Sequence, residues 1–183
     1  MRVELIKIPS EEDWQEVKNR AMNTIGKENG KHPPSEWKRS ILLAEHSPIR
    51  SLMFTIRLVD IPYWVSTHLV RHKIGVEHFV STQRTDRTGI NRNDLPQSAP
   101  VSHTMVINAQ ALINISRKRL CGQAARETEQ IWAMVIGEID KCEPELASVC
   151  VPECVYRGFC PEMKSCGYTK TMMYKRQLER YRA

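Results

Sequence analysis

The chain lacks the marks of several large functional classes. No run approaches the roughly 18 apolar residues of a membrane span. Met1 to Glu16 carries Arg2, Glu4, Lys7, Glu11, Glu12 and Asp13 in place of the apolar core of a signal peptide. A cytoplasmic protein with reduced cysteines is therefore expected. There is no Gly-rich phosphate loop and no dinucleotide fingerprint, so a bound nucleotide would have to be held by side chains and helix ends. No H-E-x-x-H pair is present, His72 and His78 stand too far apart on a helix to chelate together, and His32 and His103 read as ordinary structural histidines. Internal repeats and low-complexity tracts are also missing. At 183 residues, one domain with its own core is expected.

What the chain does have is an excess of positive charge. Its 27 basic and 21 acidic side chains leave a net +6, which suits a polyanionic partner: a nucleotide, a dinucleotide cofactor or nucleic acid. The alternation of Val3 to Ile8 predicts a strand. Ser10 and Asp13 form a capping-box pattern ahead of Trp14, Val17 and Ala21 at helical spacing, ending near Gly26. Two Gly and two Pro predict a loop over 26–34, and Ser35 is placed to cap a second helix that stops at His46-Ser47-Pro48. Ser51 to Val59 reads as a strand, and Pro62 opens a helix through Trp64 and Leu69. A loop-like stretch precedes another strand, Val101 to Ile107. Asn108 then caps a helix from Ala109 to about Leu120, and Gln123 to Cys142 continues as a further helix with Ile131, Met134, Val135 and Ile139 as its apolar stripe.

The segment from Arg71 to Arg87 concentrates the chemistry. Arg71, His72 and Lys73 in a last helical turn would complement the helix macrodipole. Ser81, Gln83, Arg84 and Arg87 then follow as donors suited to phosphate oxygens, and an anionic ligand is the sharper reading. Arg71-His72-Lys73, seven residues and Ser81 resemble the Arg-His-Arg, seven residues, Ser signature of the flavin-dependent thymidylate synthases (ThyX). Three further elements stand in order around it. His46-Ser47-Pro48 resembles the family's flavin-contacting His-x-Thr/Ser-Pro element, and Ile61-Pro62 its Ala-Pro entry to the signature helix. Arg92-Asn93-Asp94-Leu95-Pro96 resembles its Arg-x-x-Leu-Pro element. Asn108, Asn114 and Arg119 match a helix that opens on Asn and carries Asn six and Arg eleven residues on. Asn108, Leu112, Ile115 and Arg119 lie along one helical face, which by spacing alone is equally a core stripe with solvated tips.

The chain also departs from the family. His68 replaces a usual Gln, and His78-Phe79 replace Asn-Glu, with Glu77 near as the substitute carboxylate. Gln83-Arg84 replace Arg-Tyr, moving the phosphate-binding Arg to Arg84, and the segment Thr82 to Asn91 is short. These departures fall on the substrate side.

The resemblance implies an α/β (α+β) fold, a small antiparallel sheet with packed helices, assembled as a homotetramer with active sites between subunits. It implies reductive methylation of dUMP to dTMP, with methylenetetrahydrofolate as carbon donor, FAD as redox carrier and NADPH as reductant. Arg119 would be catalytic, stabilising charge on the uracil ring. Arg71, Ser81, Arg84, Arg92 and Arg119 would bind the nucleotide. His46, Ser47, Arg71, His72, Lys73, Asn108 and Asn114 would hold the flavin. Two other readings stand beside it: one-carbon transfer to another pyrimidine nucleotide, and a basic nucleic-acid-binding module with a zinc knuckle.

The last forty residues differ in composition. Residues 1–142 read as the thymidylate synthase-like domain and 143–183 as an irregular Cys-rich appendage ending in a basic segment, Met172 to Arg182. Cys150, Cys154, Cys160 and Cys166 offer four thiols for a structural zinc, against the alternative of buried reduced thiols. Cys121 only adjoins Gly122 and is not assigned as a nucleophile.

Overall fold

The computed structural model describes residues 1–28 and 31–183. A four-stranded antiparallel sheet in the order β1-β2-β4-β3 forms one layer, from β1 (Arg2–Lys7), β2 (Met53–Pro62), β3 (Val76–Val80) and β4 (Pro100–Asn108). Period-two alternation gives the sheet its core face. Phe54, Ile56 and Leu58 of β2 and Val101, His103, Met105 and Ile107 of β4 are buried. Against this sheet lie α3 (Tyr63–Leu69), α5 (Ala109–Arg119) and α6 (Arg126–Asp140). The expected α/β fold with a small antiparallel sheet is the one observed.

Local chemistry sets several element ends. The Ser10–Asp13 capping box opens α1 (Glu11–Asn23) reciprocally, at 2.8 and 3.3 Å. Asn108 Oδ1 accepts from the Ala111 N–H at 2.9 Å to open α5. Ser35 does not cap α2 (Ser35–Leu43). It is the first helical residue, and Pro34 holds the cap position without a side-chain bond. The loop over 26–34 is as expected in its described part; Asn29 and Gly30 lie outside the described residues. Met134 is not in the buried stripe of α6; Trp132 is, with its Nε1–H donating to Ser116 Oγ at 2.9 Å.

The strand β3 was not expected. It sits inside the basic segment as an edge strand, and pairing with β4 from Val76↔Ile107 to Val80↔His103 holds it extended. The final forty residues are largely helical, with α7 (Pro144–Val149), α8 (Glu153–Arg157) and α9 (Met172–Arg182). The change of composition near Cys142 is not a change of core. Leu146, Val149 and Cys150 still belong to the main cluster, while Val151, Cys154, Val155 and Tyr174 form a smaller one.

The topology gives the sheet two functionally distinct ends. Met53 pairs with Asn108 at one end, and Pro62 with Pro100 at the other. Helix α3 starts beside Pro62 and returns the chain toward Gly75, whose carbonyl accepts from the Asn108 N–H at 2.9 Å. The signature loop is thus laid against the start of α5.

Candidate active site

Arg71, His72, Lys118, Arg119, Cys121, Gln123, Ala124 and Glu162 surround a cleft of about 380 Å³ where the end of α3 meets the end of α5. Four basic or imidazole side chains face one carboxylate, so the cleft favours an anionic or electron-rich ligand. Arg119 is the best-held of them. Its Nε–H donates to His72 Nε2 at 2.9 Å and its Nη2 donates to the His68 carbonyl at 2.7 Å. Because His72 Nε2 accepts this bond, the ring is neutral and carries its proton on Nδ1. Burial, then the charge of Arg119, hold its pKa down at about 4. Burial and Arg71 also lower the Arg119 pKa. His68, where the family usually has Gln, is lowered by burial, Arg119 and Arg71, and its Nδ1 lies 3.1 Å from Thr128 Oγ1 of α6.

Gly75 shapes the approach to this cleft. It has φ +74°, and a Cβ there would lie 2.6 Å from Asn108 Nδ2, so neither the conformation nor the space admits a side chain. The consequence is that the loop at Gly75 lies against Asn108, the cap residue of α5. On the same helix Asn114 is exposed, and its Oδ1 accepts from Gln110 Nε2 at 3.4 Å and Arg117 Nη1 at 3.3 Å. Gln110 and Arg117 both reach Glu45, a positive-φ residue just before His46 and Ser47. Glu45 therefore ties the His46-Ser47 element to the face of α5 that carries Asn114.

The expected residues fall into two groups. Arg71, His72, Lys73, Asn108, Asn114 and Arg119 lie on the α3-end loop and α5, and His46 and Ser47 are tied to α5 through Glu45. Ser81, Arg84 and Arg92 lie toward the other end of the sheet. The Ser81 N–H donates to the Ser102 carbonyl at 2.8 Å, five residues along from Val76, about 17 Å at strand rise. Ser81 Oγ accepts from the Ser102 N–H at 3.0 Å, which leaves its hydroxyl proton free to donate. Arg84 is paired in a fork with Asp86 at 2.9 and 2.7 Å, and Arg92 is exposed with its backbone N–H on Thr85 Oγ1 at 3.2 Å.

Sequence reasoning missed Lys118, Gln123 and Glu162, whose place at the cleft depends on tertiary packing. It also set His103 aside as structural, although that ring is fully buried and meets His78 at 2.9 Å.

The zinc expectation is corrected. Among the described residues no group of three or more His, Cys, Asp or Glu is arranged to hold a metal ion. Cys150 is buried in the main core, its pKa driven up to about 12 by burial, and so is separated from its expected partners. Cys154, Cys160 and Cys166 instead share an apolar cavity of about 430 Å³ with Cys121. Among the described residues no helix is long and apolar enough to cross a membrane.

No protein-family model and no curated protein sequence matches the chain. Solved structures do. The flavin-dependent thymidylate synthase ThyX of Helicobacter pylori, complexed with FAD and dUMP, superposes with a TM-score of 0.66 at 13% identity, over 82% of this chain and 100% of that one. A UMP/dUMP methylase, PolB, from Streptomyces cacaoi bound with 5-Br dUMP superposes with a TM-score of 0.62 at 16% identity, over 86% and 94%. This chain therefore has the fold of the flavin-dependent thymidylate synthases and of the PolB methylase.

Proposed function

We propose that the protein is an FAD-dependent methyltransferase that converts dUMP to dTMP with methylenetetrahydrofolate and NADPH. The observation that carries this reading is the held guanidinium of Arg119. A neutral His72 ring and the His68 carbonyl occupy two of its N–H groups, and the rest remain available to the cleft. Carbon transfer to C5 requires an electron-rich pyrimidine, so negative charge builds on the ring and its carbonyl oxygens. A pre-oriented cation stabilises that charge without reorganisation at the moment of reaction. Arg119 is assigned that role.

The donor set fits a flavin dinucleotide. Arg71, at the cleft, and Lys73, two residues before the Gly75 laid against Asn108, are assigned as positive charge to a pyrophosphate. His46, Ser47, His72, Asn108 and Asn114 are assigned to the same cofactor. When bound, FAD relays reducing equivalents from NADPH, and the protein supplies orientation and electrostatics. At about 380 Å³ the cleft is near the lower end of ligand-site volumes. Ser81, Arg84 and Arg92, far along the sheet, are assigned to the nucleotide phosphate of a site in a neighbouring copy of a homotetramer.

Reduced holoprotein incubated with labelled methylenetetrahydrofolate and dUMP tests the reading. Labelled dTMP is expected, from a yellow protein bleached by NADPH. A colourless protein that yields no labelled nucleotide would overturn it. A second substrate, UMP, has support in the PolB likeness and in the altered His78-Phe79 positions. An equal incubation with UMP separates the two.

A further inference from the structure

Three histidines form a connected array between the core face of the sheet and the cleft. His103 is fully buried on β4, and His78 stands on β3 two positions from the Val80 that pairs with it, so the rings meet as diagonal neighbours on one face. His78 Nδ1 lies 2.9 Å from His103 Nε2, and His78 Nε2 lies 2.7 Å from the His72 carbonyl. The hydrogen-bond pattern fixes the protons. A carbonyl only accepts, so His78 Nε2 carries the proton and donates it. His78 Nδ1 and His103 Nε2 share one proton, and the arrangement in which Nδ1 accepts places it on His103 Nε2. The remaining nitrogen, His103 Nδ1, is buried without a partner among the described residues. That agrees with a lone pair there and a neutral ring, and burial, then His78, hold the His103 pKa at about 4.

We infer that His78, oriented by His103, is a positioning residue: its bond to the His72 carbonyl fixes the backbone of the signature loop and so aims the His72 ring that receives Arg119. The inference rests on the role proposed for Arg119. Among the described residues, His72 alone is bonded to both arms of this arrangement, its carbonyl to His78 and its ring to Arg119. Without His78 the carbonyl loses its side-chain donor, and the ring that sets the guanidinium direction is free to turn. Nothing else in the array touches the cleft, so His78 acts through His72 and not on the substrate.

The two sides of the His78 ring can be tested separately in the full-length holoprotein. His78→Gln keeps a donor near the Nε2 position, whereas His78→Leu removes it. For His78→Leu we expect kcat to fall by about 10- to 100-fold with KM for dUMP little changed, and for His78→Gln we expect most of the rate to return. Flavin content and thermal midpoint are followed alongside to confirm folding. Nitrogen-15 NMR gives a readout independent of turnover. Wild-type protein should show His78 and His103 protonated on Nε2 and His72 on Nδ1, with the Arg119 Nε–H slow to exchange; His78→Leu should lose that protection. Unchanged Arg119 protection in a folded His78→Leu protein overturns the inference even if the protein proves to methylate no nucleotide. Equal kcat for the Leu and Gln variants overturns it in an active enzyme.

Discussion

Mixing two inactive variants should restore activity to a calculable level. Arg119 sits at the α3–α5 cleft, whereas Arg92 lies outside it with its backbone N–H on Thr85 Oγ1, and Ser81 stands about 17 Å along β3 from Val76. On the proposed assignment, the phosphate at Arg92 and the pyrimidine at Arg119 are held by different copies of the chain. Arg119→Ala and Arg92→Ala should therefore each be inactive alone. On the proposed shared site, each intact site takes Arg119 from one copy and Arg92 from another. With random assembly at equal amounts, about one site in four draws an unmodified residue from both copies, so roughly a quarter of wild-type activity should appear. Unfolding and refolding the two variants together, with distinct tags to show that mixed oligomers form, provides the assay. Activity of the mixed oligomers no greater than the sum of the parents would refute the shared-site reasoning. Full activity of Arg92→Ala alone would do the same.

Arg119→Ala should lower kcat by about 10² to 10³ while flavin stays bound, as expected for loss of a pre-oriented donor to developing charge; stopped-flow turnover against flavin absorbance checks it. Gly75→Ala should cost about 2 to 3 kcal/mol, from a left-handed φ and a displaced Asn108 cap, and lower the thermal midpoint by roughly 5–10 °C. An unchanged melting curve would show that the signature loop does not need that close approach. Glu143 is buried against the Trp14 indole N–H at 3.0 Å, and burial raises its pKa to about 7. Its folded value lies above its unfolded one, so ionisation opposes folding as pH rises from 4.5 to 7. Glu143→Gln keeps an acceptor for Trp14 and removes that penalty. Its stability relative to wild type should rise by about 3 kcal/mol between pH 4.5 and 8, read from denaturant midpoints. A pH-independent difference would refute the assignment.

What the residues specify locally could be read directly from their order. The Ser10–Asp13 box and the Asn108 cap are made by atoms three residues apart, and the alternation of β2 and β4 follows from one buried face. The order of the short motifs also suggested the fold, which the structural likeness bears out. Everything that depends on a partner distant in the chain was hidden. β3 exists because an edge of β4 needed pairing, although it is a short, mixed stretch inside a basic segment. Cys121, not Cys150, joins Cys154, Cys160 and Cys166, since Cys150 was claimed by the main core. His103 looked ordinary until the register set it diagonal to His78. A periodic pattern tells which face of an element is buried, but register and crossing decide which side chains meet there, and those are settled only when the whole core packs.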